Sequence, residues 1–245
     1  MTNAIEISDL TVAYDRTPVL RGVSGRFPAG VLSAVVGPNG SGKTTLMKAV
    51  AGVLRPSAGR VRFTGPGRAD FAWLPQRAAF DRNFPISVRD VVAMGLWSRI
   101  GAFGRISGEM REEVEAALAK VGLAAFADRR IGALSGGQMQ RALFARLIVQ
   151  NTQAILLDEP FANIDAHTTA DLMTLMERWR DEGRIVVAVL HDLDLAHRQF
   201  GWTMLLAHQS VACGPTPEVL TSANLAQARD LCHACAADRD FWAAA

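Results

Sequence analysis

The stretch Val31–Thr45, VLSAVVGPNGSGKTT, constrains the fold more than any other part of the chain. Its apolar run, Val31 to Val36, reads as a strand that breaks at Gly37 into a loop ending in Lys43 and Thr44. Gly37-Pro38-Asn39-Gly40-Ser41-Gly42-Lys43-Thr44 fits G-x-x-x-x-G-K-[ST], the phosphate-cradling loop. Three glycines and a proline leave little side-chain bulk, so successive backbone N–H groups can turn toward an anion. A helix expected to start near Gly42 adds its unpaired amides and positive dipole end at the same point. Lys43 is then placed to reach the β- and γ-phosphates, and the Thr44 hydroxyl to hold Mg²⁺. A plain strand–turn–helix corner is the alternative. The phosphate reading gains from its context, an apolar strand before the loop and the helical LMKAVAGVL after it.

Composition narrows the class. A chain of 245 residues, 49% hydrophobic and 20% charged, is that of a soluble globular protein with a large core. A net charge of +2 gives no field strong enough to suggest a nucleic-acid partner. Lys43, Lys48 and Lys120 are the only lysines, so a lysine in the phosphate loop is not an accident of composition. Cys213, Cys232 and Cys235 make an odd count, which fits a reducing cytoplasm and not a disulfide scaffold. The longest apolar runs fall far short of the ~18 residues that span a bilayer, so a membrane role must come through a partner.

Along the chain, residues 4–12 alternate apolar and polar as a half-exposed strand, and Val19 to Phe27 is a second extended segment. An antiparallel β-layer therefore precedes the phosphate loop. Tyr14 follows the first strand, where an aromatic either stacks on a base or packs on the sheet. Gly59 to Phe63 and Phe71 to Pro75 read as further strands, the second buried and leading to Gln76. From Ala78 to Ala133 the pattern turns helical. Ser87 caps a helix bearing Val88, Val91, Val92 and Leu96, and Glu109 to Val121 forms another that Gly122 stops.

Leu134-Ser135-Gly136-Gly137-Gln138 then opens a helix, a second anion corner or a simple capped start. Capping accounts for Ser135 but not for two glycines, each of which weakens a helix by about 1 kcal/mol. Ala154 to Leu157 is a short apolar strand of the kind found inside a parallel sheet, and it ends in Asp158-Glu159. Adjacent carboxylates repel, and a strand's C-terminal end is where α/β sheets bind ligands. Ile185 to Leu190 repeats the pattern and ends in His191, level with those acids. The tail from Thr216 to Leu231 reads as helix.

With Gly37–Thr44, Gln76, Leu134–Gln138, Asp158-Glu159, Asp165 and His191 in this order, the chain resembles the nucleotide-binding subunits of ABC transporters. The resemblance implies an α/β fold: a P-loop NTPase core of ABC type with an antiparallel β-layer and an inserted helical subdomain. It makes 1–245 one ATPase domain, with 1–77 and 134–215 as nucleotide-binding core, 78–133 as helical subdomain and 216–245 as a helical tail. It implies ATP hydrolysis with Mg²⁺. By position, ATP would lie on Tyr14, the adenine-stacking aromatic, and on the loop from Gly37 through Thr45. Thr44, Asp158 and Gln76 would hold Mg²⁺, Gln76 would also sense the attacking water, Glu159 would act as general base, and His191 would sense the γ-phosphate. Ser135, Gly136, Gly137 and Gln138, with Asp165, would complete the site of a second copy in a head-to-tail homodimer. Ile164 stands where the family usually has leucine.

The implied partners are a membrane permease and, indirectly, a secreted solute-binding protein, which places the chain at the cytoplasmic face of the cell membrane. FPISVRDVVAMG and DEPFANIDAHT resemble segments of the ATPases of bacterial zinc and manganese importers. The alternatives are an iron–siderophore, haem or cobalamin importer, or a non-transport ABC ATPase. Phe80, Phe84, Pro85, Ile86, Trp97 and Phe103 exceed the apolar needs of two small helices; about half would form the segment's own core, and the resemblance puts the permease contact on this segment. Cys232-His233-Ala234-Cys235 lies beyond the resemblance. Its spacing offers soft metal ligands or two cysteines packing one helical face, with His208 or Cys213 among the residues that could complete a metal site.

Overall fold

The computed structural model describes residues 3–15, 17–65, 70–76, 84–101 and 104–243, with side chains of the last helix described as far as Cys232. Its first sheet joins β1 (Ala4–Tyr14), β2 (Thr17–Pro28) and β4 (Ala58–Phe63) in the order β2-β1-β4, all antiparallel. The expected β-layer therefore forms, and β4 completes it from beyond the phosphate loop. The second sheet adds β3 (Leu32–Val36), β5 (Phe71–Leu74), β6 (Ala154–Asp158), β7 (Ile185–Val189), β8 (Trp202–Leu206) and β9 (Ser210–Pro215). Its order is β5-β6-β7-β3-β8-β9, parallel except for β9.

Every residue of β3, β6 and β7 is buried, because both faces of the sheet are covered. The strand period of two sorts these side chains between two cores. Val35, Leu156 and Val187 face the antiparallel layer and α1 (Lys43–Val50). Ala34, Val36, Ile155, Leu157 and Val186 face the helices. These are α2 (Val88–Ala93), α3 (Trp97–Ile100), α4 (Gly108–Lys120), α5 (Gly136–Gln150) and α6 (Ala166–Asp181), followed by α7 (Leu193–Gln199). Phe144 of α5 stacks on Trp179 of α6 with ring centroids 5.8 Å apart.

The helix signals hold where they are local. Ser87 and Ser107 cap α2 and α4, each accepting a bond from the backbone N–H three residues on. One expectation needs correction. β5 is the sheet's edge, so Phe71 and Trp73 are only half-buried. The tail is two helices, α8 (Thr216–Val219) and α9 (Ser222–Ala243). Thr221 Oγ1 accepts from the Asn224 N–H at 3.2 Å, and Asn224 Nδ2 donates to the Val219 carbonyl at 2.9 Å, so the chain caps one helix and restarts another. Phe80 and Phe103 lie outside the described residues. No described helix is long and apolar enough to cross a membrane.

Candidate active site

The phosphate loop joins β3 to α1, and the fold shows why it needs its glycines. A Cβ on Gly37 would lie 2.0 Å from the Leu206 carbonyl oxygen, and one on Gly42 would lie 2.5 Å from Leu20 Cδ2, at φ +96°. The turn after β8 props the loop from behind, the His208 N–H donating to the Ser41 carbonyl at 2.9 Å. Nothing in the sequence signals this turn, because it reaches the loop only through sheet order. No side chain caps α1 at Gly42, which leaves its first-turn amides for an anion. Lys43 is buried, and Nζ donates to the Gly37 and Pro38 carbonyls, both at 2.9 Å. Burial lowers its pKa, opposed by Glu159, Asp158 and Cys232.

β6 delivers the two acids. Asp158 is 1% exposed, and neither carboxylate oxygen has a hydrogen-bond partner among the described residues. Burial pushes its pKa up; the Thr44 hydroxyl, Lys43 and the Gln76 backbone N–H pull it down without bonding it, while Glu159 pushes it up further. A buried, unpartnered carboxylate beside a hydroxyl is a donor set that suits a hard divalent cation. Glu159 sits at φ +54°, a left-handed conformation that costs a non-glycine residue about 1 kcal/mol or more. That turn swings its carboxylate to His191, whose Nε2 is 2.5 Å from Oε1.

Asn39 to Thr45, Gln76, Glu159 and His191 line one cleft of about 280 Å³ with Val19, a residue the sequence did not single out. Gly37 and Pro38 reach it through Lys43, and the buried Asp158 feels Lys43 and Thr44, two of its lining residues. Tyr14, at the exposed end of β1, does not line it.

Ser135, Gly137, Gln138 and Asp165 line a different cleft of about 260 Å³ with Phe126, Arg141 and Thr168, and the two clefts share no residue. Ser135 and Gln138 form a capping box, with Ser135 Oγ accepting from the Gln138 N–H and Gln138 Oε1 from the Ser135 N–H. Both Asp165 oxygens are used locally, on the Thr168 N–H and hydroxyl at 2.8 Å, and these bonds lower its pKa. A Cβ on Gly137 would sit 3.2 Å from Thr168 Oγ1, so tight packing gives this glycine the reason that capping lacked. Gly136, at 3.5 Å from the Asn163 carbonyl, has room. Arg141, held by Asp171 at 2.7 Å, brings positive charge to this cleft. It lies three residues after Gln138 in the sequence.

A family model described as ABC transporter matches residues 20–162. The chain belongs to the ABC transporter family. This ABC ATPase is 41% identical over 225 residues to the manganese transport system ATP-binding protein MntB of Bacillus subtilis, covering 90% of each chain. It is 39% identical over 222 residues to the zinc transport system ATP-binding protein TroB of Treponema pallidum, covering 89% of this chain and 84% of that one. A solved inward-facing transporter described as of metal-chelate type superposes with a TM-score of 0.83 at 28% identity, over 94% of this chain and 90% of that one. The ADP conformation of the cassette MJ1267 superposes at 0.79 and 21% identity, over 94% and 99%, which establishes the fold. The chain is thus the ATPase of an ABC transporter, using ATP and serving a membrane permease.

Proposed function

We propose that this ABC ATPase powers import of manganese or zinc through a separate permease, working as a head-to-tail homodimer. One observation supports the dimer: the Lys43 cleft and the Ser135 cleft share no lining residue, so each chain carries two separate anion corners that a second copy can complete. In the dimer, Ser135, Gly136, Gly137 and Gln138 of each copy cover the phosphates held on the other's loop, with Asp165 beside them. The metal cargo is supported by the relatives named for manganese and zinc transport. The metal-chelate transporter supports a second reading, uptake of a chelated metal, at lower identity.

In this reading Lys43 leaves the Gly37 and Pro38 carbonyls for the β- and γ-phosphates, and the uncapped start of α1 holds them. Asp158, Thr44 and Gln76 would hold Mg²⁺, which supplies positive charge against the phosphates when bound. Glu159 orients the attacking water and takes its proton, using Oε2 while Oε1 remains with His191. Tyr14 would stack on the adenine. The segment 78–133 acts as a helical subdomain that docks the permease, which holds the chain at the cytoplasmic face of the membrane, and a secreted solute-binding protein feeds that permease. The test is uptake of labelled manganese, zinc and a ferric chelate by cells with the chain, without it, and with Glu159→Gln. Manganese or zinc uptake that needs the intact chain is expected. Uptake of the chelate alone would overturn the cargo.

A further inference from the structure

Cys232 of α9 lies against the phosphate loop. Its Sγ is 3.7 Å from the Asn39 carbonyl oxygen and 3.9 Å from His208 Nε2. His208 stands in the turn between β8 and β9, is 6% exposed, and takes φ +62°. Its Nδ1 is 3.0 Å from the Val19 carbonyl, which only accepts, so Nδ1 carries the ring proton. In the neutral ring, Nε2 then turns its lone pair toward the sulfur.

The thiol has one proton and faces two acceptors. Whichever acceptor it serves, the imidazole nitrogen or the loop carbonyl goes without from that side. A cation in place of the proton would bind all three atoms at once. Zinc bonds of about 2.3 Å to sulfur and about 2.0–2.1 Å to nitrogen or oxygen, at tetrahedral angles, put the sulfur roughly 3.6 Å from each other ligand. The two separations observed from sulfur, 3.7 and 3.9 Å, need shifts of only a few tenths of an ångström. Among the described residues no three His, Cys, Asp or Glu side chains converge on a metal, so this site uses two side chains and a carbonyl.

We propose that Cys232 Sγ, His208 Nε2 and the Asn39 carbonyl oxygen bind a soft divalent cation of zinc type, which ties α9 and the β8–β9 turn to the phosphate loop. Thiolate and imidazole select such a cation over the magnesium that accompanies ATP. Binding releases one proton, from the thiol, as the sulfur–metal bond forms. The cation holds the loop carbonyls where they now satisfy Lys43, so it opposes the transfer of that ammonium to phosphate and weakens ATP binding. Its use rests on the metal-import reading: a zinc importer would slow as zinc accumulates inside. The site itself does not depend on that reading.

The full chain, free of nucleotide, is titrated with Zn²⁺ and separately with Co²⁺, beside Cys232→Ser and His208→Gln. Cys232 is half-exposed on its helix, so its variant keeps the fold; melting curves check the His208 variant. One Zn²⁺ per chain is expected, with a sulfur-to-cobalt charge-transfer band, and binding at least about tenfold weaker in Cys232→Ser. ATP affinity at equal free zinc should fall several-fold in the wild type and hold steady in Cys232→Ser, a comparison in which zinc chelation by ATP cancels. Equal zinc uptake in both proteins, or no cobalt band, overturns the site. Zinc bound at Cys232 with unchanged ATP affinity overturns the coupling. The uptake experiment on cells tests the cargo independently of either result.

Discussion

Glu159 and Asp158 are neighbours in sequence with opposite surroundings. Glu159 reaches the cleft and His191, whereas Asp158 is buried without a partner. Glu159→Gln keeps shape and removes the base, so turnover should drop about 10²-fold or more while ATP still binds. A rate assay paired with nucleotide titration checks both halves, and wild-type turnover would refute the assignment. For Asp158 the sign follows from its raised pKa. Between its unfolded and folded values the native state holds more protons, so the nucleotide-free fold loses stability as pH rises, and the whole cost is present above the folded value. Asp158→Asn should therefore raise the melting temperature of the nucleotide-free protein by a few degrees near neutral pH and abolish the further rise on adding Mg²⁺ and ATP. Calorimetry with and without nucleotide reads this. A lower melting temperature for the nucleotide-free variant would show that burial of this charge is not a cost.

Among the elements, the start of α5 combines two roles that one substitution separates. Ser135→Ala should cost about 1 kcal/mol through the lost cap, seen in denaturant unfolding. Ser135→Arg should leave ATP binding to a single chain intact and stop hydrolysis, because its bulk stands where the second copy's phosphates must lie; normal hydrolysis would refute the head-to-tail arrangement. The helical segment offers a second test. Phe84 is 59% exposed and Trp97 64%, and Met94, on the short turn that joins α2 to α3, is 42% exposed. We propose that the permease docks on these exposed apolar side chains. Polar residues at Phe84 and the half-buried Ile86 should uncouple cargo uptake from ATP hydrolysis in the assembled transporter. Unchanged uptake would move the permease contact elsewhere.

For the whole molecule, ATP should act as the glue between two copies. Glu159→Gln in ATP should run as a dimer on size exclusion and as a monomer without nucleotide. Mixing Lys43→Ala with Ser135→Arg should restore at most one working site per dimer, since each copy then spoils a different half.

The sequence alone determined the phosphate loop, the capped starts of α2 and α5, the stop at Gly122 and the buried strands β3, β6 and β7. Each depends on steric rules, capping bonds or burial periodicity within a few residues, which any stretch of chain carries with it. Sheet order decided the rest. It set His191 on Glu159 across 32 positions, brought the β8–β9 turn under the phosphate loop, and laid Cys232 on Asn39 across 193. It also left Tyr14 off the cleft lining and gave the two anion corners separate linings. Such contacts depend on which strands lie side by side, and no local pattern of residues encodes that.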